Sequence, residues 1–103
     1  PVKCAILPLL KNKPELVDKA KRIFDDLKFT FLCQYDDKDA IGRRYRRQDA
    51  IGTPFCITVD FESLENDTVT IRERDSLKQE RVSIAAIEKI IGDKISWKTL
   101  FEN

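Results

Sequence analysis

Residues 2–35 read VKCAILPLLKNKPELVDKAKRIFDDLKFTFLCQY, and the changes of period within this stretch decide the fold. Residues 2–7 are apolar on both faces, as in a strand covered on both sides, and Pro8 closes that run. Pro14 then stands at a first helical position. Leu16, Ala20, Ile23, Phe24 and Leu27 recur at the spacing of one helical stripe as far as Lys28, opposite Lys19, Lys21, Arg22, Asp25 and Asp26. Across residues 29–35 the period falls to that of a strand, with Phe29, Phe31, Cys33 and Tyr35 alternating against Thr30, Leu32 and Gln34. Strand, helix and strand in this order predict two parallel strands joined by a right-handed crossover.

Downstream, Asp39 is placed to cap a second helix over residues 40–50, which Gly52 and Pro54 stop. A third strand follows over 55–61, a turn over 62–67, and a fourth strand over 68–74, antiparallel to the third because the connection is short. Asp75 and Ser76 mark a turn before a short fifth strand over 78–82. Ser83 caps a helix carrying Ile84, Ile87, Ile90 and Ile91, ended by Gly92, and Ser96 caps a last turn through Trp97 and Leu100. The expectation is an α/β domain: a mixed, mainly parallel sheet of about five strands with three main helices.

The chain has 103 residues, enough for one domain, with 19 Lys and Arg against 18 Asp and Glu, 42% hydrophobic residues and six Phe. It contains no Met and begins Pro1-Val2-Lys3, which reads as an excised domain, residues 1–103, of a longer chain. No apolar run approaches the ~20 residues needed to cross a bilayer, and no basic segment precedes one as in a signal peptide, so a soluble, cytoplasmic domain without a membrane partner is expected. Cys4, Cys33 and Cys56 are odd in number and each lies in an apolar segment, which suits buried thiols in a reducing compartment. Without His or a CxxC pair there is no zinc site, and the commonest general base is missing, so no catalytic and no metal-binding residues are expected.

Of eight arginines, seven fall between Arg43 and Arg81, and four of them lie in Arg43-Arg44-Tyr45-Arg46-Arg47. On a helix, Arg43 and Arg47 share a face with Arg46 nearby, while Ile41 and Tyr45 share another that can pack on the sheet. Such a face offers guanidinium forks to a polyanion such as an RNA backbone; a merely solvated basic face is the alternative. Alternation in the fourth strand sends Val69 and Ile71 to one side and Thr68, Thr70, Arg72 and Arg74 to the other. Hydroxyls and guanidiniums on a rigid strand, followed by Asp75, Ser76, Lys78 and Gln79 in the turn, can read unstacked bases, or the arginines can simply pair with Glu73, Asp75 or Glu80. The glycines form no phosphate-binding loop. Asp36, Asp37 and Asp39 could ligate Mg²⁺ but read better as helix-terminal acids, and Tyr35, Trp97 and Phe101 read as core or closing residues.

Residues 40–55, AIGRRYRRQDAIGTPF, resemble the IGRRYxRxDxIGxPF signature of the C-terminal anticodon-binding domain of class IIa aminoacyl-tRNA synthetases. PVKCAILPLL at 1–10 looks like that domain's first strand, and ITVDF at 57–61 with TVTIRERDSLKQER at 68–81 is similar to the glycyl-tRNA synthetase branch, of the homodimeric type. The resemblance implies a domain that binds and helps select the anticodon stem-loop of glycine tRNA. It also implies a parent ligase in which ATP and Mg²⁺ serve an upstream catalytic domain and none serves this one. By position, Arg43, Arg44 and Arg47 would lie near the RNA, Arg72, Arg74, Asp75, Ser76, Lys78 and Gln79 would face the anticodon bases, and the loop at 9–12 would approach them. Tyr45, Asp49, Gly52 and Pro54 would hold the helix-to-strand junction. The rival expectations are a prolyl, threonyl or histidyl relative, or a protein-interaction domain of this fold that does not bind RNA.

Overall fold

The computed structural model describes residues 1–101, with side chains described through Ser96. Its five strands are β1 (Cys4–Pro8), β2 (Cys33–Tyr35), β3 (Phe55–Val59), β4 (Thr68–Glu73) and β5 (Gln79–Ser83). The helices are α1 (Pro14–Leu27), α2 (Ile41–Ala50), α3 (Phe61–Asn66) and α4 (Ile87–Phe101). They assemble into one mixed sheet of order β2-β1-β3-β4-β5 in which β4 alone runs against the rest. The chain steps from β1 outward to β2, then crosses back over β1 to β3. Right-handed connections in opposite directions place α1 and α2 on opposite faces.

The two faces are unequal. On one, Leu16, Ala20, Ile23 and Leu27 of α1 and Ile87 and Ile91 of α4 close over Cys4, Ile6, Phe55, Ile57, Val59, Val69 and Ile71. Each large side chain buried there contributes roughly 1.5–3 kcal/mol. On the other, Ile41 and Tyr45 of α2 are the hydrophobic side chains packed on Ala5, Leu7 and Cys56 among the described residues. The remainder of that face, toward β4 and β5, carries polar cross-strand rows: Thr58, Thr70 and Arg81 in one, Cys56, Arg72 and Gln79 in the next.

Three local readings are corrected. Residues 29–31 are not strand: the amides of Thr30 and Phe31 both donate to the Leu27 carbonyl, so the chain winds past α1 and pairs only from Cys33. Phe29 is left 85% exposed, Leu32 is exposed, and only Phe31 packs on the core. The expected turn at 62–67 is the helix α3, started by a capping box in which the Asp60 side chain accepts from the Ser63 amide at 3.1 Å and the Ser63 hydroxyl accepts from the Asp60 amide at 3.0 Å. Asp67, with φ 54°, ends it in a left-handed cap. β3 therefore stops at Val59, and Phe61, which continues its alternation, opens a helix instead. Finally, α4 runs through Gly92 and Ser96 without a break, since a glycine inside a helix only weakens it. Ser83 does cap the short 3₁₀ turn leading into α4, accepting from the Ala85 amide. Trp97, Leu100 and Phe101 have no described side chains.

Candidate nucleic-acid interface

The inner stripe of α2 is Ile41, Arg44, Tyr45 and Gln48, spaced to meet the sheet. Two of the four are polar and fully buried, so each must find partners inside the fold. Arg44, 1% exposed, donates to the carbonyls of Pro8, Leu9 (3.4 Å) and Asp39 (3.2 Å). Its guanidinium thereby pins the chain leaving β1 to the start of α2. The position expected to lie near RNA is thus buried and braces these two segments. Gln48 donates to Gln34 Oε1 at 2.9 Å and Asp36 Oδ2 at 3.1 Å and accepts from the Thr53 hydroxyl at 2.8 Å. Among the described residues, no buried side-chain nitrogen or oxygen lacks a partner.

Arg47, half-buried, spans two carboxylates. One terminal nitrogen reaches both oxygens of Asp36 at 2.7 Å, and the other reaches Asp39 at 2.5 Å. Asp36 is only 7% exposed. Burial alone would raise its carboxyl, but hydrogen bonds from Arg47, Gln48 and the Lys38 amide hold it below the ordinary carboxylate range, and the same contact raises Arg47. Asp39 does not cap α2 as expected. It sits at φ 62° with its side chain on Arg47, and Ala40 occupies the cap position without a side-chain hydrogen bond.

At the other end of α2 the Gly52 amide donates to Asp49 and the Thr53 amide to Gln48, a Schellman closure that needs the left-handed φ of 82° at Gly52. This turn directs Pro54 into β3 and leaves Asp49 facing β4. Arg72 meets Asp49 with two parallel hydrogen bonds of 2.9 and 3.1 Å, and its guanidinium carbon lies 5.1 Å from the centroid of the Tyr45 ring. The Asp49 contact raises Arg72 against the effect of burial. Arg74 donates from Nε to the Asp49 carbonyl at 3.0 Å and from a terminal nitrogen to Asp75 at 3.2 Å, while its amide bonds to the Pro54 carbonyl at 2.9 Å. Tyr45 reaches the Thr58 hydroxyl within β3, while Asp49 lies in the last turn of α2 and Gly52 and Pro54 lie in the turn before β3.

Beyond Arg74 the hairpin tip is exposed. The Lys78 amide donates to the Ser76 hydroxyl at 3.2 Å, Gln79 stands opposite Arg72 in the register, and Leu77 holds φ 59° with its side chain in solvent. Asp75, Ser76, Lys78 and Gln79 thus project from the end of a braced hairpin. The structure joins the two arginine groups through Asp49, but it divides their roles. Arg44, Arg47, Arg72 and Arg74 are engaged with protein groups, while the side chains of Arg43 and Arg46 are exposed on α2 and make no hydrogen bond or ion pair among the described residues. Arg46 was absent from the sequence-derived site. Its signal was the spacing of three from Arg43, which puts both on one outer row. Arg81, also outside that site, is held by Asp60, Glu62 and Thr68.

Among the described residues no group of three or more His, Cys, Asp or Glu is placed to hold a metal ion, and no helix is long and apolar enough to cross a membrane. A shallow groove of about 480 Å³ between the 30–31 turn and α4 is lined by none of the sequence-derived site residues.

Residues 3–94 match the family model described as the anticodon binding domain. The chain is 55% identical over 95 residues, 92% of its length, to a glycine–tRNA ligase of Streptomyces coelicolor, and 54% identical over 99 residues to one of Bifidobacterium longum. It spans about a fifth of the length of these curated relatives, 20% in each case. Among solved structures it is similar to prolyl-tRNA synthetase from Cryptosporidium parvum, with a TM-score of 0.85 at 20% identity over 93% of this chain and 21% of that one. At that identity the likeness concerns the fold.

Proposed function

The chain belongs to the anticodon-binding domain family, and from that premise we propose that it binds and helps select the anticodon stem-loop of glycine tRNA, as part of an ATP-dependent glycine–tRNA ligase. The observation that carries the glycine assignment is identity of 54–55% across nearly the whole chain with ligases of that name. The geometry supports a division of labour. Arg43 and Arg46, exposed on α2, contact phosphates; Arg47 and Arg44 hold that helix and the loop after β1 in place. Arg72 and Arg74 fix the hairpin whose Asp75, Ser76, Lys78 and Gln79 meet the bases. Phosphate contacts supply affinity without sequence information, and the hairpin's short polar side chains supply selection by hydrogen bonds to base edges.

The parent enzyme is proposed to be a cytoplasmic homodimer whose catalytic domain, in the same chain, uses ATP and Mg²⁺. The test is binding of short RNA stem-loops followed by fluorescence anisotropy across a salt series. A glycine anticodon loop should bind more tightly than the same stem with a proline, threonine or histidine anticodon, and all should weaken with salt. Preference for one of the other anticodons would reassign the chain within the family. Absence of any salt-dependent affinity would favour a protein-interaction role.

A further inference from the structure

Two of the three thiols lie face to face, apart from the proposed interface. The register of β1 and β2 sets Cys4 opposite Cys33, and their sulfurs are 2.9 Å apart. Cys4 has no exposed surface, whereas Cys33 is half-buried on the edge strand. That strand is three residues long, is held on one side only by β1, and leads directly to Asp36, the seat of Arg47 and Gln48.

We propose that Cys4 and Cys33 form a reversible oxidation site, at which a small hydroperoxide converts the pair to an intrachain disulfide that fastens the edge strand to β1. Cys33 is the attacking thiol. It reaches solvent, and the hydrogen bond from Cys4 lowers it against the opposing effect of burial, while the same bond, with burial, raises Cys4. The Cys33 thiolate attacks one peroxide oxygen and breaks the O–O bond. The departing oxygen takes a proton, and a sulfenic acid remains on Cys33. The Cys4 sulfur then displaces hydroxide from that sulfenic sulfur as its own proton leaves with the hydroxide as water. Two thiols lose two electrons in all, and one hydroperoxide is reduced to water and the corresponding alcohol, or to two waters when it is hydrogen peroxide.

Cys56 serves as the internal control. It is buried on the opposite face of the sheet beside Ala5 and Leu7, and burial pushes its thiol up to about 12. The folded chain is treated with hydrogen peroxide, alkylated in denaturant, digested and mapped by mass spectrometry. The expected result is a linked Cys4–Cys33 peptide pair lighter by two hydrogens, with Cys56 alkylated and dithiothreitol restoring all three thiols. Cys33→Ser should abolish the crosslink, and Cys4→Ser, whose hydroxyl can still donate to Cys33, should leave a Cys33 sulfenic acid that dimedone traps. Recovery of Cys4 and Cys33 both alkylated, or of Cys33 carried on to a sulfinic acid without a crosslink in the unsubstituted chain, would overturn the proposal.

Discussion

Asp49, the one acid of α2, receives both terminal nitrogens of Arg72, next to last in β4, at 2.9 and 3.1 Å. That one carboxylate joins the helix and the hairpin strand, which are 23 residues apart in sequence. Arg72→Ala and Asp49→Asn should each destabilise the domain, and a double-mutant cycle by denaturant unfolding should return a coupling of about 1 kcal/mol, as for a bidentate pair that is partly exposed. Arg72→Lys should not restore it, because an ammonium cannot make both bonds in parallel. If the two changes proved additive, the bridge would not be what ties α2 to the hairpin.

Arg44 and Arg43 are neighbours with opposite expected behaviour. Arg44→Ala removes a buried guanidinium and strips donors from the carbonyls of Pro8, Leu9 and Asp39, so it should cost about 2–4 kcal/mol. Arg43→Ala, on the exposed side, should stay within about 0.5 kcal/mol of the parent stability. Urea midpoints of the two variants, measured side by side, decide the point; equal losses would refute the assignment of Arg44 as a brace.

This contrast shows what the sequence could and could not disclose. The strand–helix–strand opening was legible because its apolar periods are local and strong. The inner stripe of α2 was only half legible: Ile41 and Tyr45 announce it, but Arg44 and Gln48 complete it, and a hydrophobic pattern passes over them. Their partners include Pro8 of β1, Gln34 of β2 and Asp36 just after it, and such long-range satisfaction leaves no local trace. α3 was hidden for a different reason. Phe61 extends the alternation of β3, so the capping residue Asp60 sits inside what reads as a strand end and its partner Ser63 in what reads as a turn. The candidate residues fall on α2 and on the β4–β5 hairpin, and spacing alone did not separate the arginines that brace from those that stay exposed.

Asp36 makes stability depend on pH. Its carboxyl lies below the ordinary range in the folded chain, so the unfolded chain binds the proton more readily. The contribution is complete above the unfolded carboxyl value of about 3.9 and is lost as pH falls through the lower folded value. Asp60, lowered by Arg81 and Ser63 against its burial, adds in the same sense. Thermal midpoints should therefore drop on acidification below about pH 4. Asp36→Asn should lower the midpoint at neutral pH and flatten that acid dependence, with Asp60 maintaining a residual slope. An unchanged acid limb in the variant would show that Asp36 is not the group responsible.

Backbone conformation gives an opposed pair. Gly52 holds φ 82° in the closure of α2, so Gly52→Ala should destabilise by about 1 kcal/mol or more, although nothing lies within 4 Å of the added methyl group. Leu77 occupies the same left-handed region at φ 59°, and its side chain is exposed. Leu77→Gly should be neutral or stabilising by up to about 1 kcal/mol, because relief of strain offsets the added chain entropy. Denaturant midpoints test both. A clear loss in Leu77→Gly would mean that the leucine side chain packs on the hairpin more than its exposure suggests.

Arg43 and Arg46 carry the sharpest functional expectation. If both contact phosphates, replacing either with Ala should weaken stem-loop binding by a similar factor for glycine and non-glycine anticodons, and should lower the slope of log affinity against log salt by about one. Replacing Gln79 or Ser76 should do the reverse, leaving the salt slope intact while narrowing the margin between glycine and non-glycine loops, by about 1–3 kcal/mol for each base that the side chain reads. Because the side chains of Arg43 and Arg46 have no hydrogen-bond or ion-pair partner among the described residues, their removal leaves the brace of Arg44, Arg47, Asp36 and Asp39 intact, and the altered slope can be read without a folding correction. An unchanged slope in the Arg43→Ala, Arg46→Ala double variant would place the phosphate path elsewhere on the domain.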